Sequence, residues 1–345
     1  GPVGWQFDLR VKVDYESTWE SKLLVPQFFL DMDWGPLVIT AGRSIQRWGT
    51  GYSFNPTDVI GPEKKISDPE NSERRAVGND LLKIEYFGGT WSAAASLLTQ
   101  VSWNNGPGAE EPELAFRLYK NILEADLSLI ALFGSTVSPV LGINGAAVFG
   151  QRLEVHGEAA WQRGSERLYH RSIKDEHRYY SSSPFAALRN SSALYTSWLL
   201  GFQYTFPGHL LWITEWYHRD GYSKNEWKAL IGYAEWLREN ITGPAGDAAR
   251  GNLLRCAAVY TSSGAMQDYL MSTIQWSSRS GWFAQTTLLL NPGDGSFILM
   301  PHLSRSAGNY LSFYIRGFIF EGSQQSEYGA FFQSHIIEGG IRLSS

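Results

Sequence analysis

Charged and polar side chains recur at every second residue along several apolar segments of this chain. They carry both signs, so they can pair with one another or contact a charged solute on the same face. We expect mutual pairing for most of them and solute contact for some. The candidates are Arg10, Lys12, Lys83, Glu85, Arg117, Tyr119, Glu154, His156, Glu158, Glu215 and Arg316.

His156 has Glu154 and Glu158 two residues to either side, which places an imidazole and two carboxylates on one strand face. Such a set fits acid-base catalysis or a metal ion, but no further ligand or nucleophile follows at a defined spacing. The chain also lacks Gly-x-Ser-x-Gly, His-Glu-x-x-His and phosphate-loop signatures. We therefore expect no catalytic residue, no metal, no cofactor and no enzyme activity. Cys256 is the single cysteine, which excludes an intramolecular disulfide.

Long β-strands are the elements that would carry these side chains. From Val3 to Tyr15 the odd positions are apolar and the even positions are polar or Gly. This segment is longer than the usual strand of about 5–6 residues and suits the roughly 9–11 residues that a tilted strand needs to cross a bilayer. The pattern returns in 23–34, 81–87, 114–119, 127–133, 153–161, 198–206, 311–319 and 337–343, and more weakly near 37–46, 91–101, 139–149, 209–219, 267–276, 282–291 and 296–304.

The pattern predicts an all-β chain: a transmembrane antiparallel up-and-down β-barrel of about sixteen strands, within a range of about 14–18. Short turns alternate with long connections, as expected for periplasmic turns and long extracellular loops. We expect one domain over residues 1–345, with large loops at 47–79 and 221–266. A soluble β-propeller fits the frequent turns, but not the strand length.

A helical insert is expected in the 221–266 loop. Ser223 and Glu226 form a capping-box pattern, and Trp227 and Leu230 begin a helical spacing of apolar residues. We therefore place 252–261 in this loop, although reading it as a strand with one missed partner gives about eighteen strands.

The segment from Arg43 to Asp58 is the most specific local string. It reads Arg43, then Trp48-Gly49-x-Gly51, Asn55-Pro56 and Asp58, and residues of these types favour a fixed turn. It resembles the Arg-x-x-x-x-Trp-Gly-x-Gly-x-x-x-Asn-Pro-x-Asp signature of a broad porin-like set of Gram-negative outer-membrane barrels, including relatives of the alginate-export type. The resemblance implies a barrel that serves transport across the envelope.

Within this string we expect Trp48, Gly49, Gly51, Asn55, Pro56 and Asp58 to anchor the loop. Arg43 and Arg47 are candidates for selectivity, because a guanidinium group binds carboxylate or phosphate well. Arg43 shares parity with Leu37 and Ile39, so it needs a bulge near Gly42 or a place at the rim.

The expected function is an outer-membrane channel for passive, selective passage of small polar or anionic solutes, narrowed by its loops. The alternatives are the outlet of a polysaccharide or lipid export system, and an outer-membrane hydrolase or plugged structural or assembly barrel. Expected partners are membrane lipids, lipopolysaccharide, and a small solute or exported polymer, with a possible periplasmic export partner. The net charge of -5 does not indicate a nucleic acid partner, and we expect none.

Overall fold

The computed structural model describes residues 3–15, 19–62, 64, 76–99, 111–135, 138–170, 185–188, 193–239, 241–242, 246–260, 264–308, 310–330 and 334–343. For 5–15 and 19–24 only the backbone is described, so the predicted roles of Arg10 and Lys12 lie outside the described side chains.

The chain is built almost entirely of strands joined in sequence order. They are β1 (Val3–Tyr15), β2 (Trp19–Trp34), β3 (Leu37–Ser44), β4 (Asn79–Phe87), β5 (Trp91–Thr99), β6 (Glu113–Ile122), β7 (Ala125–Gly134), β8 (Val140–Phe149), β9 (Leu153–Arg163), β10 (Ser165–His170), β11 (Phe185–Leu188), β12 (Leu194–Phe206), β13 (Leu210–His218), β14 (Asp268–Ser277), β15 (Trp282–Leu290), β16 (Phe297–Ala307), β17 (Leu311–Glu321) and β18 (His335–Leu343). All but β10 and β11 form one antiparallel sheet of sixteen strands, in which each strand pairs with the next. The predicted strand number is confirmed.

The 221–266 connection contains two helices, α1 (Lys224–Glu239) and α2 (Gly246–Tyr260). Residues 252–260 lie outside the sheet, as expected, and they belong to a second helix that was not predicted. Helix α1 begins with the predicted capping box, because the Ser223 N–H donates to Glu226 Oε2 at 2.8 Å. Among the described helices, none is long and apolar enough to span a membrane.

The connection between β9 and β12 contains the separate hairpin β10–β11, which the alternating pattern did not predict. Its strand β11 reads Phe-Ala-Ala-Leu, which shows no alternation of apolar and polar residues.

The chain divides into two compact units, which are described separately. Unit 1 comprises 1–147, 156–164 and 191–198, and unit 2 comprises 148–155, 165–190 and 199–345. The single domain over 1–345 stays a prediction.

In each unit the sheet has an outer face of exposed apolar side chains and an opposite, inner face. In β4 of unit 1, Leu82, Ile84 and Tyr86 are exposed, whereas the alternate Lys83 and Glu85 are half-buried. In unit 2, Ile315 of β17 and Ile337 of β18 are exposed in the same way. Apolar faces of this extent suit a hydrocarbon environment better than water.

Gly42 redirects the end of β3. Its φ is +126°, and a Cβ there would lie 2.4 Å from the Phe28 carbonyl oxygen. The pairing of Phe28 with Arg43 and of Phe29 with Gly42 stays in register. The irregularity expected near Gly42 is therefore a glycine conformation and not an extra residue, and the neighbouring Arg43 is buried.

Candidate functional site

Residues 45–62, here called the inner loop, lie against the inner face of unit 1. Trp48 and Ile60 of this loop join a buried apolar cluster, with Val59 packed against it. The strands contribute small and branched side chains to the cluster: Ala94, Leu98, Ala115, Ile130 and Leu132, with Val140 at its edge. Burying each large side chain contributes about 1.5–3 kcal/mol, so the loop has a core of its own.

Glu158 of β9 fixes the inner loop through its carboxylate. Its Oε1 accepts hydrogen bonds from the N–H of Thr50 and, at 2.8 Å, from the N–H of Gly51. Its Oε2 accepts the N–H of Thr57 at 3.0 Å and the Thr57 hydroxyl at 2.8 Å. Glu158 is 4% exposed, and a buried carboxylate requires such donors. The periodicity placed Glu158 on the inner face, but the loop as its partner was not predicted.

Asn144 of β8 is a second anchor, which sequence reasoning missed. Its amide donates to the Trp48 carbonyl at 2.6 Å and to the Thr57 hydroxyl at 2.7 Å. Gly142 leaves room beside it, because a Cβ at that position would approach Thr57 Cγ2 to 3.0 Å. The available signal was an amide side chain in a strand otherwise made of small and apolar residues.

Asp58 closes the inner loop on itself. Its Oδ1 accepts a hydrogen bond from the Trp48 N–H at 2.8 Å, and its Oδ2 accepts one from Arg47 Nη1 at 3.0 Å. Burial raises the pKa of Asp58, and the bonds from Trp48 and Arg47 act in the opposite direction. The Asp58 N–H also donates to the Asn55 carbonyl at 3.1 Å, closing a turn around Pro56.

Gly49 permits the close approach inside this loop, because a Cβ there would lie 2.5 Å from the Cβ of Asn55. Gly51 also belongs to this arrangement, because its N–H binds Glu158. The predicted anchor residues thus all lie in the inner loop.

The two arginines of the signature form ion pairs within unit 1. Arg43 Nε and Nη2 bind Asp80 Oδ1 and Oδ2 at 2.9 Å and 2.8 Å, and Arg43 is 2% exposed. Arg47 Nη1 binds Asp58 and also donates to the Pro62 carbonyl at 2.6 Å. These contacts give both residues a structural use, and their role in selectivity stays a prediction.

Most other candidates also have partners. Lys83 Nζ lies 3.0 Å from Glu85 Oε2, and Arg316 Nε donates to Glu338 Oε2 at 2.7 Å. Glu154 Oε2 accepts Gln203 Nε2 at 2.7 Å.

The predicted set around His156 is used separately, since Glu158 binds the inner loop and Glu154 binds Gln203. His156 and Glu215 are both buried. No group of three or more His, Cys, Asp or Glu residues in the described part of the chain is arranged to hold a metal ion.

Arg117 of β6 differs from the paired cations. Its Nε and Nη2 donate at 3.3 Å to the Ser128 hydroxyl, and its guanidinium lies 5.3 Å from the centre of the Tyr119 ring. The Tyr119 hydroxyl in turn donates to the Asp126 carboxylate. Among the described residues, no carboxylate forms an ion pair with Arg117. It is half-buried on the inner face, and the carboxylates of Glu85, Asp126 and Asp58 interact with it electrostatically from a greater distance.

No family model and no curated protein matches this chain. Solved structures of similar fold include Pseudomonas aeruginosa OccK11 (OpdR), with a TM-score of 0.56, 12% identity and coverage of 99% of this chain and 84% of that one. Acinetobacter baumannii OccAB1 has a TM-score of 0.54, 10% identity and coverage of 94% and 77%. The outer membrane protein OprD from Pseudomonas aeruginosa has a TM-score of 0.51, 10% identity and coverage of 99% and 83%.

At these identities the likeness concerns the fold. The chain has the fold of the Gram-negative outer-membrane β-barrels, with sixteen up-and-down antiparallel strands.

Proposed function

We propose that this protein is a bacterial outer-membrane channel for passive, selective passage of small polar or anionic solutes. The observation that carries the proposal is the inner loop, which lies on the inner face and is fixed there by Glu158. A loop held against the inner face narrows the lumen of a barrel. The lumen is then not filled by side chains from every strand. The exposed apolar outer face supports contact with lipid and lipopolysaccharide.

We propose Arg117 as the residue that favours anions. Three other cations of the sheet, Arg43, Lys83 and Arg316, each have a carboxylate partner. The direct contacts of Arg117 are a hydroxyl and an aromatic ring, and Glu85, Asp126 and Asp58 act on it only from beyond ion-pair distance, so its charge is less compensated than that of the three paired cations. Charged side chains that line a pore select ions by this electrostatic attraction.

Recording currents across planar lipid bilayers tests the proposal. We expect discrete conductance steps from the wild type and, in a salt gradient, a reversal potential that shows anion preference. The Arg117→Gln variant should lose part of that preference. The matched control is Arg305→Gln on the outer face, where the guanidinium lies over the Trp282 ring at 5.0 Å and should leave selectivity unchanged.

If the inserted protein produces no conductance steps, the channel proposal is wrong. If conductance appears only after an export partner is added, the export outlet is favoured. If Arg117→Gln and Arg305→Gln behave alike, selectivity lies elsewhere and the role of Arg117 is wrong.

A further inference from the structure

Three connections of unit 2 meet around the carboxylate of Glu327. This residue belongs to the β17–β18 connection. Its Oε1 accepts the Ala265 N–H at 2.8 Å and the Tyr269 hydroxyl at 2.7 Å. Its Oε2 accepts the side-chain amide of Asn291 at 2.7 Å. Ala265 precedes β14 and Asn291 follows β15, so one side chain joins the β13–β14, β15–β16 and β17–β18 connections.

Asp294 and Ser296 bind backbone N–H groups of the β17–β18 connection. Asp294 Oδ2 accepts the Glu327 N–H at 2.7 Å, and its Oδ1 accepts the Ser296 N–H at 2.8 Å. The Tyr328 N–H donates to the Ser296 hydroxyl at 3.2 Å. The helical insert is attached here as well, because the Tyr222 N–H donates to the Ala265 carbonyl at 2.9 Å.

No cation among the described residues forms an ion pair with Glu327, which is 4% exposed. The titratable groups that face it are Tyr269 of β14, Asp294 of the β15–β16 connection and the adjacent Tyr328. Burial raises the pKa of Tyr328 well above its usual range, so this neighbour stays neutral. Asp294 adds negative charge nearby. The three hydrogen-bond donors thus stabilise an ionised Glu327 against the cost of its burial.

We propose that Glu327 is a pH-sensitive latch, which holds the three connections together below neutral pH and loosens them above it. An ionised, buried carboxylate without a cation regains solvation when the connections separate and water reaches it. The neutral carboxyl group gains much less solvation free energy when the connections separate. The latch goes beyond the proposed channel function and does not depend on it.

The electrostatics support this direction. Burial, the largest cause, raises the pKa of Glu327 from 4.5 to about 7, while the bonds from Tyr269, Ala265 and Asn291 lower it and Asp294 raises it. Since the docked pKa is the higher one, the stabilisation is complete below pH 4.5 and is lost as the pH rises through about 7.

Hydrogen–deuterium exchange of the full chain in detergent micelles tests the latch. The amides of 264–270, 291–297 and 323–330 would be followed between about pH 5.5 and 8.5, after correction for intrinsic exchange rates. The linkage relation predicts an increase of about 30-fold in the opening equilibrium constant over this range. Corrected exchange that stays flat in all three segments would overturn the proposal.

Two variants assign the effect. Glu327→Gln removes the titration, so these segments should lose their pH dependence. His218→Asn is the control, because it replaces another ionisable side chain near the same strand ends, where His218 Nδ1 lies 2.8 Å from Asp268 Oδ1.

The control should keep the wild-type pH dependence. If Glu327→Gln keeps it, or if His218→Asn abolishes it, Glu327 is not the latch. Exchange is measured without any current, so a failed latch leaves the channel proposal standing, and the reverse also holds.

Discussion

Glu158 and Glu327 are buried carboxylates that collect hydrogen bonds from loops, but their surroundings differ. Glu158 lies on a strand of unit 1, where the inner loop is also held by an apolar cluster and by the Arg47–Asp58 ion pair. Glu327 lies on a connection of unit 2, and its neighbours are neutral or acidic. The inner loop is thus held by further contacts besides its carboxylate, whereas the connections around Glu327 are those that we propose to open as the pH rises.

The largest effect is expected at the Arg43–Asp80 pair, which has no counterpart around Glu327. Asp80→Ala leaves the Arg43 guanidinium buried without its carboxylate, so we expect a loss of about 3–5 kcal/mol in the free energy of unfolding. Replacing both residues, as Arg43→Met with Asp80→Leu, should cost much less. Urea unfolding in lipid vesicles measures both, and equal losses in the single and double variants would contradict this account.

Glu158→Ala is the second test, because it removes the acceptor of the Thr50, Gly51 and Thr57 N–H groups. Each unsatisfied donor costs about 1–3 kcal/mol, but water satisfies the donors once the loop lifts. We therefore expect a fall of about 3 kcal/mol in the local opening free energy, measured by amide exchange. Glu85→Ala, on the same inner face, should leave these amides protected. Unchanged protection in Glu158→Ala would show that the apolar cluster alone fixes the loop.

The strand number, the two faces of the sheet and the capping box could be predicted because each is a local or periodic signal. Alternation placed Ile84 outward and Glu85 inward, and the spacing of Ser223 and Glu226 predicted the start of α1. The turn chemistry of the inner loop was local as well.

The partners of the two buried carboxylates could not be predicted. Glu158 binds residues 101 to 108 positions away in the chain, and Glu327 binds Ala265 at a separation of 62. Alternation assigns a side chain to a face, but it does not specify which loop folds onto that face. The hairpin β10–β11 was missed for a different reason, since the sequences of its two strands show no alternation of apolar and polar residues.

Asn291→Ala sharpens the comparison through pH. It removes the hydrogen bond to Glu327 Oε2, which favours the ionised carboxylate, so the pKa of Glu327 should rise further above about 7. A bond worth about 1 kcal/mol corresponds to a shift of roughly 0.7 pH units in the midpoint of loosening. Asn144→Ala is the matched change in unit 1, where it removes the bonds to the Trp48 carbonyl and the Thr57 hydroxyl. It should increase opening of the inner loop and leave the midpoint at Glu327 unchanged. A lower midpoint in Asn291→Ala would contradict the latch.

The smallest effect is expected at the cap of helix α1, which the Tyr222 N–H links to the Glu327 region. Ser223→Ala removes the hydroxyl that accepts the Glu226 N–H at 3.4 Å, and loss of an N-cap costs about 1 kcal/mol. The buried face of α1, formed by Trp227, Leu230, Tyr233 and Leu237, should keep the helix docked. Exchange should therefore rise about fivefold in the first turn only, and Lys224→Ala, which leaves the cap intact, serves as the control. If Ser223→Ala also exposes 264–266, the helical insert and the latch open as one unit, and the region that opens is larger than the three connections around Glu327.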